Sequence, residues 1–223
     1  MTKARVLMCP PVHFNVDYEI NPWMRGNLGA VSHALALRQW EQLREVLARE
    51  ARIELIAPRT GLPDMVFTAN AGLVHGRRFV PSNFAHPERQ GERAYFARWF
   101  GAAGFEVLDM PHAPADYLAF EGAGDALYST DAPVLWVGHA FRTDARAPAW
   151  LTQRLDIEVV GLRLTDPRFY HLDTCFCPLA DGVLLWNPGA FDEASRAAVE
   201  ARVPAPKRIA VGAEDAANFA CNA

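Results

Sequence analysis

Four stretches of this 223-residue chain carry side chains able to do chemistry: LPDMVFTAN (62–70), FEGAGD (120–125), GHAFR (138–142) and FYHLDTCFCPL (169–179). Three of them supply acids, Asp64, Glu121, Asp125 and Asp173, in the Gly-, Pro- and Asn-punctuated company typical of loops. Carboxylates gathered at one pocket repel each other unless a cation lies among them. A planar guanidinium, with its N–H groups in a fixed fork, is the natural ligand for such a group. Taken singly, each acid has an ordinary alternative, capping a turn or a helix.

His171 stands four residues before Cys175 and six before Cys177. It reads either as a general acid/base or as a core histidine bonded to a backbone carbonyl. A lone C-x-C without a second ligand pair is a weak metal signal, so the two thiols read as buried and inert, on one face of a strand. No metal site is expected. Arg142, and Arg89 in HPERQGE, each have two readings: a clamp for a substrate carboxylate or a solvated surface charge. Asn21 in INPWM and Asn70 lie in loops at the same end of their units, where asparagine also serves plain turns.

These side chains need a scaffold, and composition bounds it. With 51% hydrophobic and 22% charged residues, the chain suits a soluble globular protein able to bury a real core. A net charge of −4 with a pI near 6.0 gives no basic stripe, which argues against a nucleic-acid partner. Cys9, Cys175, Cys177 and Cys221 have no small-scaffold spacing and read as thiols of a reducing compartment, by default the cytoplasm. No stretch approaches 18 consecutive apolar residues, so no membrane span is expected. The apolar run in MTKARVLMCPP is too short for a signal-peptide core and reads as a first strand.

A repeat organises the rest. RVLMCPP (5–11), a helical pattern over 31–50 and RIELIAP (52–58) give strand, long loop, helix, strand. The second unit has strands around 65–68, 71–75 and 78–81, a helix over 88–104 and a closing strand at 105–111. The third runs through 120–130, 134–142, a helix near 147–155 and a strand at 157–164. The fourth takes FYHLDTCFCPL, 182–191, a helix near 192–202 and RIAVG (208–212). Asp64, Asp125 and Asp173 stand at corresponding places, ahead of the paired strands. Units of this size that each bury a sheet against a helix predict an α/β ring with helices outside and entry loops gathered at the centre. An α/β sandwich with coincidental spacing is the alternative. NFACNA, at the end, looks like the opening of another unit.

Together, LPDMVFTANAGLV, FEGAGDAL, GHAFR and FYHLDTCFCPL resemble the guanidino-group-modifying enzymes, whose pentein fold is a five-bladed α/β propeller of ββαβ units. That superfamily includes arginine deiminases, dimethylarginine hydrolases and amidinotransferases. The opening MCPPVHFNVDYEINPWM, with FTANAG and NFACN, resembles its arginine dihydrolase branch over essentially the whole chain. The resemblance implies attack of a cysteine thiolate on the guanidinium carbon, with His171 as general acid/base and Glu121 as its acidic partner. It puts Asp64 and Asp125 at or near the guanidinium, and Arg142 and Arg89 at the α-carboxylate. Asn21 and Asn70 would hold a neutral ureido product for a second hydrolysis, because an amide both donates and accepts. Arginine would then yield ornithine, carbon dioxide and two ammonia. A deiminase or dimethylarginine hydrolase releasing citrulline, and an inactive binder of guanidino compounds, remain the alternatives.

None of the four cysteines matches the position of the family's nucleophile, which is expected beyond the present C-terminus. The expectation is therefore a single domain over 1–223, with about four of five blades and an incomplete C-terminus. No cofactor is implied, the partner is a small molecule, and the oligomeric state, a homo-oligomer included, is left open.

Overall fold

The alternating, punctuated stretches of the described residues fold as four small sheets, three of them built on a short central strand. In a computed structural model, which describes residues 3–222, β1 (Ala4–Met8) runs out at Pro10 and Pro11, which have no N–H to donate. The ends of the domain expected over 1–223, Met1, Thr2 and Ala223, lie outside the described residues. A long loop leads to α1 (His33–Glu50), where the Ser32 side chain caps the N-terminus by accepting from Leu35 N–H. The helix then carries the chain across to β2 (Ala51–Leu55), parallel to β1 with Ala4 opposite Ala51.

The next three units share one plan. β3 (Gly72–His75) pairs antiparallel with β4 (Arg78–Pro81), helices α2 (Pro87–Gln90) and α3 (Glu92–Ala102) follow, and β5 (Glu106–Val107) returns parallel to β4. β6 (Ala126–Tyr128), β7 (Val134–His139), α4 (Ala147–Arg154) and β8 (Glu158–Arg163) repeat the pattern. So do β9 (Phe176–Pro178), β10 (Leu184–Trp186), α5 (Glu193–Glu200) and β11 (Arg208–Ala210). The short α6 (Ala213–Ala217) comes last. This is the ββαβ propeller expected from the sequence, with three three-stranded blades and a first blade of two strands.

The core lies between each sheet and its helix and between neighbouring blades. Phe79, Phe96 and Phe100 bind α3 to the second blade, and the Phe79 and Phe100 rings stack with centroids 3.7 Å apart. Leu73, Val80, Phe120, Leu135 and Leu151 join the second blade to the third; Trp136, Leu162, Phe176, Trp186 and Phe191 join the third to the fourth.

Three local expectations are corrected. Residues 65–68 are not a strand: Pro63–Val66 and Thr68–Ala71 form successive 3-10 turns, Pro63 opening the first with its fixed φ. The strand expected over 105–111 shrinks to Glu106–Val107. Cys175 is not a strand residue: it closes the turn Leu172–Thr174, so only Cys177 lies on β9 and the two thiols do not alternate along one strand face. Both are buried all the same.

Candidate active site

Short 3-10 turns ahead of the first strand of each three-stranded blade hold the chemistry. Pro63–Ala71, Gly122–Gly124 and Leu172–Thr174 converge at the middle of the ring, and a cleft of about 450 Å³ opens over them. Asn21, Asp64, Asn70, Arg89, Arg142 and His171 all line it. Glu121 and Asp125 lie just beneath, 0% and 1% exposed, in contact with His171. Asp173 lines it too, so the acids, arginines, asparagines and histidine singled out from the sequence are gathered at one place.

His171 is held between two carboxylates. Its Nε2 is 3.2 Å from Glu121 Oε2, and its Nδ1 is 3.2 Å from Asp125 Oδ2, the latter off the line of a good hydrogen bond. Burial disfavours the imidazolium, but Asp125 and then Glu121 outweigh it and raise the pKa to about 10. Burial likewise penalises the Glu121 carboxylate, yet His171, Arg142 and Arg89 hold its pKa down to about 2. With its pKa raised this far, His171 is an imidazolium among carboxylates at neutral pH. Both partners are side-chain carboxylates, not the backbone carbonyl that the core-histidine alternative calls for.

The remaining carboxylate oxygens are also engaged. Glu121 Oε1 accepts from Ala85 N–H at 3.1 Å, and Asp125 Oδ1 accepts from Leu172 N–H at 3.0 Å. Asn70 Nδ2 is 3.4 Å from His171 Nε2, and the Asn70 carbonyl accepts from Ser82 Oγ at 2.5 Å. A Cβ at Gly124 would fall 2.2 Å from Asn70 Nδ2, so glycine there is what lets the amide approach the histidine. Asn21 does two things at once. Its side chain caps the turn Pro22–Met24, accepting from Trp23 and Met24 N–H, while the residue lines the cleft.

Neither arginine is a solvated surface charge, since each is 3% exposed. Arg142 donates to Glu121 Oε2 at 3.0 Å and to the Ile20 carbonyl at 2.7 Å, with its guanidinium over the Tyr170 ring. Arg89 makes a two-pronged pair with Glu92, at 2.8 and 3.0 Å, and lies 3.8 Å from Asp64 Oδ2. Asp64 in turn accepts from Tyr18 OH at 2.9 Å. Burial raises the Asp64 pKa, against the pull of Arg89 and Tyr18.

Sequence reasoning missed Glu92, Tyr18, Thr143, Tyr170 and the pair Trp23–Phe219 at the cleft, whose rings lie 4.5 Å apart. Glu92 had a signal, since it follows Arg89 by three residues on a helical stretch; the others had none. Asp64 was also aligned with the wrong neighbours. It lies eight residues ahead of β3, whereas Asp125 is one ahead of β6 and Asp173 three ahead of β9. Asn70, two residues ahead of β3, is the better counterpart.

No described cysteine lines the cleft. Burial pushes the Cys9 thiol up to about 12 and Cys221 up to about 11, which suits packing and not attack. Among the described residues, no group of three or more His, Cys, Asp or Glu is arranged to hold a metal ion, and no helix is long and apolar enough to cross a membrane.

No family model matches the chain. Individual proteins do. The chain is 52% identical over 99% of its length to the bifunctional arginine dihydrolase/ornithine cyclodeaminase AgrE of Nostoc sp., of which it spans only 31%. It is 39% identical over 98% of its length to an N(G),N(G)-dimethylarginine dimethylaminohydrolase of Mycobacterium tuberculosis, covering 69% of that protein. A crystal structure of the N-terminal domain of ArgZ, a cyanobacterial arginine dihydrolase, in a cysteine-to-serine variant bound to substrate, superposes with a TM-score of 0.93. The match has 52% identity and covers 98% of this chain and 79% of that one.

Proposed function

This chain belongs to the guanidino-group-modifying superfamily of α/β-propeller enzymes, and from that premise we propose that the full-length protein hydrolyses the guanidino group of arginine to ornithine, carbon dioxide and two ammonia. The observation that carries the reading is His171, buried between Glu121 and Asp125 on the floor of a cleft that Asn70 also lines. An imidazolium and two carboxylates can trade a guanidinium and a proton between them with little change in net charge.

When arginine enters, its cation competes with His171 for the same carboxylates. That competition lowers the proton affinity of the imidazolium and readies it to protonate a departing amine. A cysteine thiolate supplied by the full-length protein attacks the guanidinium carbon; ammonia leaves with a proton from His171. Neutral His171 then takes a proton from water, which attacks the carbon and frees the thiolate, leaving a ureido group. Repetition on the ureido carbon releases the second ammonia and consumes a second water to leave a carbamate, whose C–N bond then breaks to give carbon dioxide and the ornithine amine. Asp64 and Asp125 steady the guanidinium, while Arg142 and Arg89 receive the α-carboxylate. Both arginines are already engaged, so the carboxylate joins an existing network and needs no new ordering of long side chains.

Asn70 favours the two-step outcome over citrulline release. Its amide can donate to or accept from a neutral ureido group, whereas a carboxylate in the same place only accepts. The dimethylarginine hydrolase among the relatives makes single-step release the second reading. Incubation of the full-length protein with L-arginine, counting ammonia, ornithine and citrulline, separates the two. Two ammonia per ornithine is expected; citrulline with one ammonia replaces the proposal with the second reading. Asn70→Asp should shift the product toward citrulline, and an unchanged ornithine yield in that variant would sink the role given to Asn70.

A further inference from the structure

Resting on the reading above, we propose that Thr143 is a positioning residue that fixes the Asp125 carboxylate against His171 and ties it to the backbone of Glu121. Thr143 is buried beneath the cleft, and its hydroxyl meets the Asp125 carboxylate and the Glu121 backbone. It donates to Asp125 Oδ2 at 2.7 Å and accepts from Glu121 N–H at 3.2 Å. A hydroxyl has one proton and two lone pairs, so the two bonds coexist without conflict.

The consequence for Asp125 is orientation. Its Oδ1 is fixed by Leu172 N–H and its Oδ2 by Thr143, so the carboxylate plane cannot turn away from His171 Nδ1. Without the hydroxyl, Oδ2 would rely on the imidazole alone, along a contact that is already poorly aligned. The backbone gives an independent sign. Ala140 has a φ of 112°, a left-handed value that a residue with a Cβ avoids, and its N–H bonds the Thr143 carbonyl at 3.0 Å. That strained turn delivers Arg142 to Glu121 Oε2 and Thr143 to Asp125 in consecutive residues.

The test uses the full-length protein and Thr143→Val, which keeps the branched shape and removes the hydroxyl. The groups that bear on His171 are Asp125, Glu121, Asp173 and His86, with Arg142 held on Glu121, and all are retained in the variant. The kcat on arginine should fall roughly tenfold to hundredfold, the scale of one hydrogen bond to a charged group, with KM nearly unchanged. The titration midpoint of the His171 ring, read by NMR on nitrogen-labelled histidine, should fall, because a loosened Asp125 holds the imidazolium less well. Thr143→Ser should restore both quantities. A valine variant that melts earlier but keeps the parent kcat and midpoint overturns the proposal, as does a serine variant that restores neither. If the valine variant does not fold, Thr143→Ala against Thr143→Ser decides by the same two readouts. If the parent releases no ammonia from arginine, the reading of function fails, and the histidine midpoint alone decides the role of Thr143.

Discussion

His171 and its neighbours make the site's stability depend on pH in a direction that can be worked out. The His171 pKa is raised to about 10, so the stabilisation from its proton is complete below the ordinary imidazole value and is lost as pH rises toward and through about 10. Glu121 is held down to about 2; its contribution is present above the ordinary carboxylate value and disappears only as pH falls through about 2. Asp173, raised by burial to about 6 despite the opposing pull of His171, adds stability when protonated and loses it as pH rises through about 6. The three together favour mildly acidic conditions and predict a melting temperature that declines from about pH 6 to about pH 10. His171→Gln should flatten the alkaline part of that decline, because tyrosines and lysines titrate equally in both proteins. Melting curves of parent and variant with the same slope between about pH 7 and 10 would show that the imidazolium is not held as described.

The 3-10 turns that carry these residues depend on close backbone contact between blades. Gly122 has a φ of 58°, and a Cβ there would lie 2.7–2.8 Å from the backbone of Gly72 at the root of β3. Gly122→Ala therefore meets both a left-handed backbone and a rigid neighbour. It should cost about 2–5 kcal/mol, checked by denaturant unfolding; a loss within ordinary surface variation would mean the blades can separate freely at this point. The same turns explain what the sequence could and could not tell. The ββαβ order was legible because strands and helices have different apolar periods, and the acids were legible because of their glycine and proline neighbours. The stretch 63–71 was not, since Met65 and Val66 look like strand residues; Met65 is buried, but from a turn and not from a strand. With two turns in succession, Asp64 falls out of step with Asp125 and Asp173, and Asn70 takes the corresponding place. Arg89 and Arg142 were ambiguous because residue type does not reveal burial. Thr143 acts through a strained turn at Ala140, which no local pattern announces.

At the scale of the molecule, the first blade differs from the others in a way that bears on stability. Each other central strand has an antiparallel neighbour on one side and a parallel one on the other, whereas β1 pairs with β2 alone among the described strands. A largely apolar groove of about 610 Å³ runs beside it, with Val6, Leu7, Leu73, Phe79, Phe100 and Phe105 in its walls. On α1, Leu35, Leu37, Leu43 and Val46 are 41–54% exposed, and Trp40 is its one buried residue. An open edge beside apolar surface invites pairing with another chain. A further strand that completed the first blade to the three-stranded plan of the others would cover that edge in a longer chain. The two situations predict opposite effects of one substitution. Val6→Lys in residues 1–223 alone should reduce aggregation, because an edge lysine repels a second strand. In the full-length protein the same lysine would be buried without a partner and should cost several kcal/mol, on the order expected for an unpaired charge. Light scattering on the fragment and chemical denaturation of the full-length protein measure the two. Improved behaviour in both would mean the β1 edge faces solvent in the full-length protein too.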